Sequence, residues 1–137
     1  MSARKLRDRF LKRARDSLAA SRVMMKEGSP DLALLLVGLA MEFRLRAAHA
    51  LVGEDPGPEP EIRDLMVSLA EAVGDERILE FAERRSEILD LLEVAYTGCK
   101  CGDWEPSLRT VEKALEAAQE LFELLANVEA EVVGSSD

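Results

Sequence analysis

The sequence predicts an all-α protein, an antiparallel up-and-down helical bundle of four long helices plus one short helix. Three observations carry this expectation. Apolar residues recur every three or four positions along most of the chain, no run alternates apolar and polar residues with period two, and β-branched residues never cluster. Glycine and proline fall in brief interruptions between the periodic segments, and short connections favour antiparallel neighbours.

Leu6, Phe10, Ala14, Leu18, Ser21 and Met25 repeat at helical spacing, with Arg and Lys between them, and predict an amphipathic first helix over residues 2–27. "EGSPD" ends it. Gly28 suits the position just past a helix, Ser29 suits the cap of the next, and Pro30 suits that helix's first turn. The second helix runs to residue 52, and its first half is apolar all round, which places it at the centre of the fold. "GEDPGPEP", residues 53–60, is the Pro/Gly-rich loop and the longest expected connection.

Ile62, Leu65, Met66 and Leu69 define a short helix over residues 61–73, interrupted by "GDE". A further helix over residues 76–97 repeats Ile78, Phe81, Ile88, Leu89, Leu92 and Ala95, with Arg85 inside the stripe. "GCKCGDWEP" reads as the next turn, with Pro106 in the first turn of the last helix. That helix carries Leu108, Val111, Leu115, Ala118, Phe122, Leu125 and Val132 on one stripe. Residues 1–133 form a single domain in this reading, and 134–137 a polar tail.

The composition narrows the function classes. A chain of 137 residues, 47% hydrophobic and 33% charged, suits one modest core and excludes disorder. The charge-free apolar run over residues 32–41 is far shorter than the roughly 20 residues that cross a bilayer, so no membrane contact is expected. The basic start leads into no apolar signal region, and a cytoplasmic location is the expectation. Aromatics at 4% and a net charge of −9 argue against general nucleic-acid coating. The charge is polarised, however. Residues 1–26 hold nine Lys/Arg against two Asp/Glu, a balance of +7, and the rest holds nine against 25, a balance of −16. The basic segment is either a solvated helix face complementing acidic neighbours or a contact surface for phosphate or an acidic partner.

Three groups of residues invite chemistry. Glu42 precedes Arg46 by one turn on the apolar second helix, in the favourable acid-before-base order. This pair is either a helix-seam ion pair or part of a polar pocket that Arg85 joins. Arg44 and His49 lie five positions apart, and a rotation of about 500° points them away from one another, so both read as incidental, with His49 a helix-end residue. Cys99 and Cys101 are one residue apart, closer than the spacing of metal-ligand pairs, and read as ordinary thiols. No metal, no cofactor and no catalytic residue is expected, and no phosphate-cradling loop or nucleophile motif is present.

These residues, taken in order, resemble a known family. "GSPDLA" at 28–33 is similar to the turn between the first two helices of the HEPN (higher eukaryotes and prokaryotes nucleotide-binding) family. "AMEFRLRAA" at 40–48 resembles its second-helix signature through Ala40, Glu42, Leu45, Arg46 and Ala47, with arginine in place of lysine. Tyr96 followed by Lys100 resembles the family's tyrosine and basic residue four positions later, and the resemblance spans residues 5–130.

The resemblance implies a helical bundle that forms a homodimer and binds a nucleotide or RNA, often beside a minimal nucleotidyltransferase partner, as in toxin–antitoxin pairs. Glu42, Arg46, Tyr96 and Lys100, at positions that match the family's motifs, and Arg85, from its place in the helical stripe, are the candidate ligand- or anion-binding residues. Some members are metal-independent ribonuclease toxins, which place an arginine and a histidine near the start of the last helix. Residues 96–109 hold no histidine, the family's frequent histidine before the short helix falls near Arg63, and Cys101 stands where an aromatic is usual. A non-catalytic binding module is therefore the expectation. A divergent ribonuclease toxin and a purely structural dimer docking an acidic partner are the alternatives.

Overall fold

Six helices form among the described residues, each bounded by a glycine, a proline or a capping side chain. The computed structural model describes residues 1–102 and 104–135, apart from the side chains of Cys99, Lys100, Cys101 and Ser135. The helices are α1 (Ala3–Lys26), α2 (Pro30–Leu51), α3 (Ile62–Val73), α4 (Glu76–Arg84), α5 (Ser86–Cys101) and α6 (Leu108–Ser135). The all-α class is as the periodicity predicts. No helix among the described residues is long and apolar enough to cross a membrane.

Ser2 caps α1 by accepting from the Lys5 amide, and Gly28, at φ +79°, turns the chain where a side chain would be strained. Ser29 stands at the cap of α2 without a side-chain bond, and Pro30 begins the helix. Two contacts show that α1 and α2 are antiparallel. Buried Ser21 donates to the Ala33 carbonyl at 2.8 Å near one end, and the Phe10 and Phe43 rings stack with centroids 6.2 Å apart near the other. Small residues on α2, Ala33, Ala40, Ala47 and Ala48, let its neighbours approach closely.

The expected helix over 76–97 is two helices. Arg85 occupies a core-stripe position, where a straight helix would bury its guanidinium. Its backbone (φ −107°, ψ 24°) instead breaks the helix, and the side chain reaches Glu120 of α6 through Nε at 3.0 Å and Nη2 at 2.6 Å. Core contacts continue on both sides of the break through Ile78, Phe81, Leu89 and Leu92.

Two further boundaries move. α5 runs through Gly98 to Cys101, because Trp104 folds back onto Gly98, where an added Cβ would lie only 3.0 Å from the tryptophan. Ser107 caps α6 by accepting from the Thr110 amide at 3.1 Å, so buried Pro106 precedes that helix instead of opening it. α6 then extends to Ser135, into the stretch expected as a tail. Its buried face is also broader than the expected stripe, adding Ala114, Ala117, Leu121 and Val128, while Leu108 is exposed.

α2 is central, as its composition predicts, but it is not buried all round. Leu34, Val37, Met41 and Leu45 are fully buried, whereas Leu35 and Leu39 are half-buried and Leu32 is 41% exposed.

At one end of the bundle, Arg44 of α2 is 5% exposed and bonds through Nη2 to Glu129 of α6. Arg7 of α1 reaches the other oxygen of Glu129 at 3.4 Å. One carboxylate thus joins three helices, and Nη1 of Arg44 has no hydrogen-bond partner among the described residues. Removing one side of a buried ion pair leaves the other charge uncompensated. Glu129→Ala is expected to lower the unfolding free energy by about 3–5 kcal/mol, measured by denaturant titration. Lys12→Ala, which touches only the exposed pair with Asp16, is expected to cost less than about 0.5 kcal/mol.

Candidate functional site

A cleft of about 560 Å³ opens between α2, α5 and the end of the loop before α3. Its floor is apolar, with Leu35, Gly38 and Leu39 from α2, Leu92 from α5 and Ile62 from α3. Its rim carries Glu42 from α2, Glu59 and Glu61 from the loop, and Glu93 and Tyr96 from α5. The alternation arises from helix phase: positions 35, 39 and 42 share the outward side of α2, so two leucines and a glutamate line one wall. Gly38 deepens the floor, since a Cβ there would meet only Leu92, at 3.7 Å.

The cleft brings two of the expected site residues together, Glu42 and Tyr96. Arg46 stands behind them. Its Nε donates to Glu42 at 3.2 Å, Nη1 to the Gly57 carbonyl at 2.7 Å and Nη2 to the Pro58 carbonyl at 3.3 Å. With 11% of the side chain exposed, Arg46 is a clamp that fixes the loop as the cleft's outer wall. Arg85 lies elsewhere, between α4 and α6, so the suggested junction with Glu42 does not form. Burial works to raise the Glu120 carboxyl, but hydrogen bonds from Arg85 and Arg84 outweigh it and hold that group below the usual carboxylate range. The Lys100 side chain lies outside the described residues, as do those of Cys99 and Cys101.

Arg44 and His49 are corrected from incidental residues to buried ones. A guanidinium in the core requires an acceptor, and Arg44 takes Glu129. His49 is 1% exposed, with Nδ1 2.8 Å from the Leu45 carbonyl and Nε2 2.7 Å from the Ser68 hydroxyl. A carbonyl only accepts, so Nδ1 carries the proton and Nε2 accepts from Ser68. Burial lowers the imidazole pKa against the pull of the Leu45 bond and the Glu54 charge, favouring the neutral form.

Sequence reasoning missed the partners on other helices: Glu129, Ser68, Glu120, and the set around Arg63. Arg63 of α3 bonds Asp90 at 2.7 Å, Glu93 at 3.0 Å and the Ser86 carbonyl at 2.8 Å, tying α3 to α5. One signal was available. Glu129 falls on the apolar stripe of the last helix, four positions after Leu125, just as Arg85 interrupts the stripe of its own segment. Among the described residues no cluster of His, Cys, Asp and Glu could hold a metal ion.

A comparison of the sequence with known families places this all-helical chain. The family model for the HEPN domain matches residues 8–128. This chain belongs to the HEPN family. None of the curated proteins and none of the solved structures compared with the chain matches it. As a HEPN domain it is a helical module of a nucleotide- and RNA-related family, and Glu42 and Arg46 lie within the matched residues.

The lowered His49 pKa predicts an acid limb of stability. Above the ordinary value of 6.5 both folded and unfolded histidine are neutral, and the contribution is fully present. As the pH falls through that value the unfolded chain takes up a proton first, so stability falls until the folded pKa is passed. Melting temperatures measured from pH 8 to pH 5 are expected to decline below about pH 6.5, and His49→Gln is expected to flatten that decline.

Proposed function

We propose that this HEPN domain is a non-catalytic binding module that acts as a homodimer and presents the cleft between α2 and α5 to a nucleotide, an RNA or a nucleotidyltransferase partner. The observation that carries the reading is the cleft itself: one cavity joins Glu42 and Tyr96 over an apolar floor, with Arg46 holding its outer wall in place. Cavities of several hundred Å³ with an apolar lining and a few convergent polar groups are the usual form of a ligand site. In this reading the Tyr96 ring offers a stacking face, Glu42 accepts hydrogen bonds from amino or hydroxyl groups, and Arg46 acts by keeping the loop closed on the ligand.

The interior placement of Arg44 and His49 supports a role without catalysis. The chain has a single histidine, and its two ring nitrogens are occupied by Leu45 and Ser68 inside the bundle. Proton transfer at a phosphodiester requires a group within hydrogen-bonding reach of the substrate.

Calorimetric titration and thermal shift with ATP and with a short single-stranded RNA test the reading. Ligand bound only to the folded state is expected to raise the melting temperature, with the RNA left intact. Tyr96→Ala is expected to weaken binding about tenfold, roughly 1.4 kcal/mol, in titrations that record the melting temperature of the free protein alongside. Arg46→Ala is expected to weaken binding about as much and also to lower that melting temperature, because the loop loses its clamp. Failure to bind ATP, RNA or a co-expressed nucleotidyltransferase would dismiss the module, and cleavage of the RNA would replace it with the ribonuclease alternative.

A further inference from the structure

The lining of the cleft narrows that reading to one class of occupant. Four carboxylates, Glu42, Glu59, Glu61 and Glu93, line it, and among the described lining residues there is no lysine, arginine or histidine. Two cations stand behind the rim, and both are already bonded. Arg46 binds Glu42 and two loop carbonyls, and Arg63 binds Asp90, Glu93 and the Ser86 carbonyl. They offset Glu42 and Glu93, and the Glu61 carboxylate accepts from the Asp64 amide at the start of α3, so Glu59 adds its charge to a rim that carries carboxylates alone. A phosphate entering this cleft meets repulsion, whereas a lysine or arginine meets attraction.

The apolar surface also runs beyond the cavity. Leu32, 41% exposed, lies one turn before Leu35 and continues the line of Leu35 and Leu39 along α2, and Tyr96, 57% exposed, flanks it. From Leu32 to Leu39 this stripe extends about 10 Å along the helix axis. Such a strip, running past the pocket and edged by one sign of charge, complements an extended partner that carries apolar residues at helical spacing.

We infer that this groove docks an amphipathic helix of a partner protein, with apolar side chains on Leu35, Leu39, Leu92 and Ile62 and flanking Lys or Arg side chains on the rim carboxylates. The inference rests on the reading of the chain as a binding module and, of the occupants named there, selects the protein partner. Long basic side chains suit both surfaces, since their stems pack on leucine while their heads reach glutamate, and a cation can also settle over the Tyr96 ring.

The test uses the full chain and a fluorescently labelled peptide with leucines at positions i, i+3 and i+7 and lysines between them. Anisotropy is expected to show binding that weakens as salt rises, and no binding of the same peptide with glutamate in place of lysine. Glu59→Lys with Glu93→Lys is expected to weaken binding tenfold or more. Glu112→Lys with Glu116→Lys, the same charge change on α6, is expected to leave it within twofold. Gly38→Leu plugs the floor and is expected to abolish binding, whereas Gly38→Ala, whose Cβ makes only ordinary contact, is expected to retain the fold and most of the affinity.

Equal loss from the two charge-reversal pairs would mean general attraction to an acidic protein and would overturn the inference. So would no binding up to roughly 1 mM peptide. ATP or RNA binding that Gly38→Leu blocks would overturn it while leaving the binding module standing. A dimer that Gly38→Leu dissociates would assign the groove to a second copy and overturn it as well. No ligand of any kind would remove both.

Discussion

A charged or polar side chain taken out of water must be met by a partner, and this requirement organises the bundle around α2. That helix contributes more buried apolar residues than any other among the described residues, yet it carries Glu42, Arg44, Arg46 and His49 within eight residues. Each partner lies in a different place. Arg44 draws in α6 through Glu129, and the same carboxylate takes Arg7 of α1. Arg46 draws in the loop before α3, and His49 draws in α3 through Ser68. Apolar contact alone would tolerate several rotations of α2 against its neighbours, because leucine and alanine are interchangeable in shape over a turn or so. The polar contacts are directional and select one rotation, the one that leaves Leu35, Leu39 and Glu42 facing outward.

The cleft follows from that choice. α5 borders the outward side of α2 without closing over it, and the loop held by Arg46 forms the other wall. The basic residues of α1 do not reach into the cleft; Arg13, for instance, lies over the Phe10 and Phe43 rings, 5.7 and 5.9 Å from their centroids. The polarised charge of the sequence therefore becomes two separate surfaces, a basic outer face on α1 and an acidic rim around an apolar floor.

Much of the fold was legible in the sequence, because periodicity and capping are local. The apolar repeat of α1, the Gly28–Pro30 turn and the short α3 all stand where spacing places them. The break at Arg85 was not legible as a break, since the stripe 78–81–88–92 continues in phase across it. What interrupts the helix is a partner, Glu120, thirty-five residues further on. The shift at the end of α5 goes with a contact between Gly98 and Trp104, and the shift at the start of α6 with the Ser107 cap, neither of which periodicity encodes. The candidate site was half legible. Glu42 and Arg46 form the expected i,i+4 pair and Tyr96 joins Glu42 across two helices, but the carbonyls that occupy Arg46 belong to a loop whose path depends on the whole bundle.

The packing of Trp104 on Gly98 has a practical consequence. The chain contains one tryptophan, so its intrinsic emission arises at a single corner of the bundle, where α5 ends and α6 has yet to begin. Light collected from the whole molecule is then a local signal. It registers disturbance of that corner while remaining silent about the opposite end, where Arg44 and Glu129 meet, so the corner can be followed on its own without attaching any dye.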